Sequence, residues 1–149
     1  MRKQISIKTK FGWISAFEEE DKIIKVKFSK SKNISTSKNL KNFKTNLNNF
    51  LKGKCKFIKS NFLVKGNLIQ KKVWGELKNI KFGKTKTYGE IAKKYKLSPR
   101  YVGKICSQNK IPLAIPCHRV IRSDGSMGGF SSKGGVVLKK KLLDFEKSW

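Results

Sequence analysis

The sequence predicts a two-part α/β (α+β) protein, with an N-terminal sheet domain over residues 1–65 and a helical domain over residues 66–149. Three observations predict it. Apolar and polar residues alternate between Ile5 and Phe28, apolar residues recur at helical spacing after Gly66, and two helix starts with cap signatures follow in quick succession. With 38% hydrophobic and 11% aromatic residues, a chain of 149 residues can build a core, so its net charge of +27 does not imply disorder.

Ile5 and Ile7 alternate with polar residues, Gly12 sits in a turn, Trp13-Ile14 resumes the strand, and Ile24, Val26 and Phe28 alternate again. Glu18-Glu19-Glu20-Asp21 reads as a hairpin tip and holds four of the nine acidic residues. Residues 29–37 form a polar loop. Leu40, Phe43, Leu47, Phe50 and Leu51 then mark a helix for which Gly53 supplies the stop. A short apolar stretch, Phe57-Ile58 and Phe62-Leu63-Val64, leads to a boundary near Gly66.

Beyond it, Ile69, Val73, Leu77 and Ile80 share one helical face that ends near Gly83. Thr87 is an N-cap and Glu90, three residues on, completes a capping box. Ser98 as N-cap with Pro99 at the first helical position starts a second helix running to about Asn109. Two short helices joined by a tight turn make a helix-turn-helix, whose second helix is shaped to enter a DNA groove. Val120 to Phe130, centred on Asp124-Gly125, reads as a hairpin or wing, and Leu138, Leu142 and Phe145 mark a closing helix.

No run approaches the roughly 18 apolar residues of a membrane helix. The N-terminus lacks a signal-peptide core, and Cys55, Cys106 and Cys117 form no close pair, which fits a soluble, cytoplasmic protein rather than a disulfide framework. Of the 36 basic residues, 36 minus the four arginines Arg2, Arg100, Arg119 and Arg122 leaves 32 lysines, spread along the whole chain. A coding bias toward A and T would produce the same pattern. Read functionally, the charge fits a polyanion, whether nucleic acid, ribosome or anionic lipid, because each phosphate contact releases counterions.

The single histidine, His118, follows Cys117 in Ile115-Pro116-Cys117-His118-Arg119-Val120. A cysteine in an apolar stretch often only packs a core. Pro116 before it and a charged pair after it are poor packing choices, however. A free thiol has a pKa of about 8.5, so a nucleophilic Cys117 needs an activator. The adjacent imidazole can accept its proton, directly or through a water, and a carboxylate such as Glu146 can hold the imidazole's tautomer. A zinc site is the competing use of these residues, but adjacent Cys117 and His118 lack ligand spacing and the other cysteines have no nearby partner.

That hexapeptide resembles the active-site motif of the O6-alkylguanine-DNA alkyltransferases, the methylated-DNA–protein-cysteine methyltransferases. Phe82-Gly83-Lys84 with Thr87-Tyr88-Gly89-Glu90-Ile91-Ala92 resembles the family's first helix-turn-helix segment, and Ser98-Pro99-Arg100-Tyr101-Val102-Gly103 the start of its recognition helix. Asn109, Pro112, Gly128-Gly129-Phe130, Gly134-Gly135 and the Leu142-Leu143 to Glu146 ending fall at family spacings, so the resemblance covers about residues 68–147.

The resemblance implies a ribonuclease-H-like N-terminal sheet and a winged-helix-like DNA-binding and catalytic domain. It implies a monomer that rotates O6-alkylguanine out of double-stranded DNA, Arg100 taking the vacated place in the stack and Tyr88 helping to turn the nucleotide and protonate the base. Cys117 then takes the alkyl group in one displacement, with His118 and Glu146 completing its relay and Asn109 bridging the recognition helix to the active-site loop. Ser98, Tyr101 and Arg119 join Arg100 at the DNA, and Pro112, Phe130 and Ser131 line the substrate pocket. No cofactor or metal is implied, and the protein is consumed, one molecule per lesion. Many relatives have tyrosine where this chain has Phe130, Asp144 competes with Glu146 for the relay position, and non-repairing relatives replace the reactive cysteine with tryptophan. The alternatives are a non-catalytic lesion-sensing DNA-binding protein and a basic structural winged-helix protein, in which Cys117 stays unmodified.

Overall fold

A computed structural model of the chain describes residues 2–128 and 135–149, a mixed α/β architecture with a small antiparallel sheet. The chain divides into two compact units, Met1–Val64 and Lys65–Trp149. No helix among the described residues is long and apolar enough to cross a membrane.

In the first unit, β1 (Arg2–Thr9), β2 (Gly12–Glu19) and β3 (Lys22–Lys27) form an antiparallel meander in the order β1-β2-β3. The register sets Ile5 opposite Ala16 and Ile7 opposite Ile14. Helix α1 (Lys38–Leu51) is capped by the Ser37 hydroxyl and buries Leu40, Phe43, Leu47, Phe50 and Leu51, its apolar stripe.

The hairpin tip is shorter than its acidic run. Only Glu20 and Asp21 turn, both at positive φ (50° and 62°), whereas Glu18 and Glu19 pair in β2 with Ile23 and Lys22. A register shift between Phe17 and Glu18 re-aims the strand, and Glu18 is buried, its Oε2 accepting from Ser37 Oγ at 2.8 Å and Asn39 Nδ2 at 3.0 Å.

In the second unit, α2 (Leu68–Lys78) starts with an Asn67/Gln70 capping box, and α3 (Tyr88–Tyr95) with the expected Thr87/Glu90 box. Helix α3 stops at Lys96 in the left-handed region (φ 56°), and α4 (Pro99–Ser107) begins at once with Ser98 as N-cap and Pro99 in its first turn. These two helices are the helix-turn-helix. A 3-10 turn (Cys117–Arg119) precedes β5 (Val120–Ile121), and α5 (Gly135–Lys147) closes the unit.

Strand β5 departs from the expected hairpin: it pairs in parallel with β4 (Lys86–Thr87), and no return strand follows among the described residues. The chain reverses instead in a tight turn. Gly125 sits at φ 87°, the Asp124 carboxylate accepts from Ser126 N and Oγ at 2.9 and 2.7 Å, and Arg122 N donates to Ser126 O. The β4–β5 pair joins the residues leading into Tyr88 to those leaving Arg119.

Long-range polar contacts fix these elements. Trp74 Nε1 donates to Ile105 O at 3.0 Å, tying α2 to α4. Glu76, buried on α2, accepts from Lys86 Nζ, Lys94 Nζ and Tyr95 OH at 2.9, 2.8 and 2.9 Å, clamping both ends of the β4–α3 segment. These hydrogen bonds, that of Lys94 foremost, hold its carboxyl down to about 2.

Candidate active site

A cavity of about 610 Å³ opens beside the helix-turn-helix, lined by Tyr88 from α3, by Pro99, Arg100, Gly103, Cys106 and Ser107 from α4, and by Cys117, Arg122, Ser123 and Gly128. Cys117 lines it and is only 7% exposed. The 3-10 turn that presents it is held by Cys117 N donating to Ile115 O at 2.8 Å and Arg119 N to Pro116 O at 3.0 Å. Asn109 braces the approach: its Nδ2 donates to Ile115 O at 2.9 Å and its Oδ1 accepts from Ile111 N at 2.9 Å. Burial pushes the Cys117 thiol up, opposed by the Asn109 amide and the Lys139 ammonium. At rest the sulfur keeps its proton and requires a base.

His118, next to Cys117 in the chain, is the candidate for that base. It is fully buried, and its Nε2 lies 2.7 Å from Glu146 Oε2. A proton on Nε2 donated to the carboxylate leaves Nδ1 as acceptor, and Nδ1 is buried with no hydrogen-bond partner among the described residues. Burial pushes the imidazole pKa down against the pull of Glu146, so the ring is neutral and able to accept. Burial raises the Glu146 carboxyl, but hydrogen bonds from His118 and Arg119 outweigh it and hold it down to about 2. Asp144, the competing carboxylate, is exposed and pairs with Lys140 at 2.9 Å.

Arg119 was expected at the DNA and is not there. It is 5% exposed, with Nε and Nη2 on the two Glu146 oxygens at 2.8 and 2.9 Å and Nη1 on Ile80 O at 2.7 Å. A planar fork clasping a carboxylate and a carbonyl inside the protein is turned away from any phosphate. Pro112 also departs from expectation: it is buried, bridges to Ile115 through the backbone, and is not among the residues lining the cavity. Ser98 caps α4 through Tyr101 N at 3.1 Å, and Arg100 and Tyr101 are exposed on that helix's first turns. Phe130 and Ser131 lie outside the described residues.

Tyr88 lies half-buried against the cavity, and burial together with the nearby cysteines pushes its phenol up to about 12, so it stays a proton donor. Its hydroxyl oxygen accepts from Lys139 Nζ at 3.2 Å, which leaves its own proton to point elsewhere. Lys139 is the residue that reading the sequence missed. Its stem is buried on α5, its ammonium is pushed down to about 8 by burial, and the two cysteines pull it up. The signal was its phase, because Lys139 alone among three successive lysines falls on the apolar stripe with Leu142, Leu143 and Glu146. Gly128 is required by Tyr88: it sits at φ 70°, and a Cβ there would meet Tyr88 Cε2 at 2.9 Å.

A helix-turn-helix beside a cavity lined by a cysteine, with a histidine–glutamate pair next to it in the chain, is the class of DNA-binding fold suited to a base-assisted thiol nucleophile. Residues 68–148 match the family model of the 6-O-methylguanine DNA methyltransferase DNA-binding domain. The methylated-DNA–protein-cysteine methyltransferase of Metallosphaera sedula is 36% identical over 141 residues, covering 93% of this chain and 88% of that protein. This chain belongs to the 6-O-methylguanine DNA methyltransferase family.

The enzyme of the same name from Methanocaldococcus vulcanius is 52% identical over 77 residues, 52% of this chain and 46% of that one. The chain thus spans about half the length of relatives such as this one and that of Sulfolobus acidocaldarius, where the share is 50%. Among solved structures, the Mycobacterium tuberculosis O6-methylguanine methyltransferase superposes with a TM-score of 0.86 at 25% identity, covering 99% of this chain and 94% of that one. The structure of Mycobacterium tuberculosis OGT in complex with DNA superposes at 0.82, also at 25% identity, covering 97% of this chain and 92% of that one.

Proposed function

We propose that this protein repairs DNA by moving a methyl or other alkyl group from O6 of guanine to Cys117, each molecule acting once. The observation that carries the proposal is Cys117 lining a cavity on the helix-turn-helix, with its chain neighbour His118 hydrogen-bonded to Glu146. Family membership and a structural neighbour solved in complex with DNA support duplex DNA as the partner.

The damaged atom lies inside the duplex, so the nucleotide must leave the stack to enter the cavity. Arg100, exposed on the first turn of α4 at the rim, is placed to fill the gap, with Ser98 and Tyr101 flanking it. His118 Nδ1 takes the Cys117 proton, directly or through a bridging water. The thiolate attacks the alkyl carbon as the carbon–O6 bond breaks, and Tyr88 gives its proton to the departing base, which is a poor leaving group without it. Lys139 holds Tyr88 and lends positive charge as sulfur and base become anionic. The product thioether resists hydrolysis, which makes the reaction stoichiometric. In this reading the first unit is ribonuclease-H-like, the second winged-helix-like, and the protein works as a cytoplasmic monomer.

Titration tests it. Unmodified guanine restored within an O6-methylguanine oligonucleotide should rise with added protein to a limit of one per molecule, and Cys117→Ser should bind the duplex and restore none. Binding without transfer by the natural chain would favour a lesion sensor, and binding with no lesion preference a basic structural protein.

A further inference from the structure

Cys106 has no part in that reaction, yet it lines the same cavity as Cys117 and is 6% exposed. The two reach it from different elements, one from α4 and the other from the 3-10 turn. One ammonium serves both: Lys139 lowers the pKa of each thiol, and both in turn raise that of Lys139. Tyr88 likewise feels both sulfurs. Both thiols line one solvent-open cavity and share one cation, a placement that core packing alone does not call for. The third cysteine, Cys55, belongs to the other unit.

We propose that Cys106 is the resolving thiol of Cys117, so that oxidation by a hydroperoxide ends in a reversible Cys106–Cys117 disulfide. The Cys117 thiolate attacks the terminal peroxide oxygen, the O–O bond breaks, and Cys117 becomes a sulfenic acid as hydroxide, or an alkoxide, leaves. The Cys106 sulfur then attacks the Cys117 sulfur, the S–O bond breaks, and the oxygen departs as water with the Cys106 proton. The sulfurs have given up two electrons and the peroxide has taken them. A dithiol reverses the step by exchange. Burial and the Cys117 charge push the Cys106 thiol up to about 12. Oxidising Cys117 removes that charge, so Cys106 becomes easier to ionise once it is needed.

The disulfide has a clear consequence. It ties α4 to the 3-10 turn within the base cavity, so the oxidised protein cannot accept an alkylguanine, while Arg100 stays exposed for DNA. A nucleophile that acts once is thereby kept from irreversible loss to peroxide.

The proposal rests on Cys117 being nucleophilic, but its test reads the disulfide apart from alkyl transfer. The full chain is treated with hydrogen peroxide, blocked with iodoacetamide and mapped as non-reduced peptides. Residual transfer is measured before and after dithiothreitol, relative to each protein's own untreated capacity. The natural chain should yield a linked Cys106–Cys117 peptide, lose transfer several-fold and regain most of it. Cys106→Ser and Cys106→Ala should instead collect oxygen atoms on Cys117 and regain little. Oxygen additions on Cys117 without a linked peptide, a link to Cys55, or equal recovery in the variants would overturn it. A linked peptide in a chain that never transfers an alkyl group would sink the repair reading and leave the thiol pair standing.

Discussion

His118 Nε2 and Glu146 Oε2 lie 2.7 Å apart with both side chains about 1% exposed, and the same carboxylate is clasped by Arg119. A charge removed from water this completely persists only when it is paired and its lone pairs are filled. Glu146 therefore does two jobs, fixing the imidazole tautomer and anchoring α5 to the 3-10 turn. Glu146→Gln keeps the shape and loses the charge. Single-turnover transfer should slow by on the order of 100-fold or more, and urea unfolding should show a loss of about 3 kcal/mol. An unchanged rate would remove Glu146 from the relay.

The buried Arg119 separates two roles cleanly. Arg119→Lys cannot make the bidentate contact, so stability should fall by about 2–3 kcal/mol. The salt dependence of DNA affinity should stay unchanged, because no phosphate contact is lost. Arg100→Ala should do the reverse, with stability nearly intact and lesion transfer from duplex DNA reduced more than total DNA binding.

Acid should unfold the protein through three groups. Glu76 and Glu146 have folded pKa values of about 2, below their ordinary value of 4.5. Depressed carboxylates contribute stability that is complete above the unfolded pKa and lost as pH falls toward the folded one, here between about 5 and 2. His118, also depressed, adds a loss that sets in as pH falls past its ordinary 6.5, because the unfolded chain takes up a proton that the buried ring refuses. Urea midpoints from pH 7 to 3 should fall first through the histidine and then through the two carboxylates, and Glu76→Gln should flatten the lower part of the curve.

Lys139 predicts an alkaline limb. Its ammonium should lose its proton near pH 8, and with it the positive charge beside Tyr88 and Cys117. Single-turnover transfer should therefore decline above about pH 8. Lys139→Met should be slow throughout and lack that limb, and a limb that survived in it would assign the titration elsewhere.

Gly128→Ala places a methyl 2.9 Å from the Tyr88 ring at a backbone angle that alanine resists. Melting should show a cost of about 1–2 kcal/mol, and transfer should slow as Tyr88 is displaced.

What was legible in the sequence was local. Thr87 with Glu90, and Ser98 with Pro99, announce their helices because cap and first turn are neighbours in the chain. The Cys117-His118 pair is equally visible. What escaped depends on partners far apart in sequence. Arg119 looks like a DNA contact until Glu146, 27 residues on, is folded against it. Glu18 looks like a turn residue until Ser37 and Asn39 surround it, and Glu76 gives no hint of Lys86, Lys94 and Tyr95. Charged residues read by default as surface, and burial by a long-range partner is what that reading misses.

The most direct test is the intact mass of the protein after incubation with an oligonucleotide carrying O6-methylguanine, followed by peptide mapping. The account predicts the gain of a single methylene unit, localised to Cys117 and never exceeded with excess substrate. An unmodified Cys117 after full exposure, or a methyl group found on another residue, would contradict it.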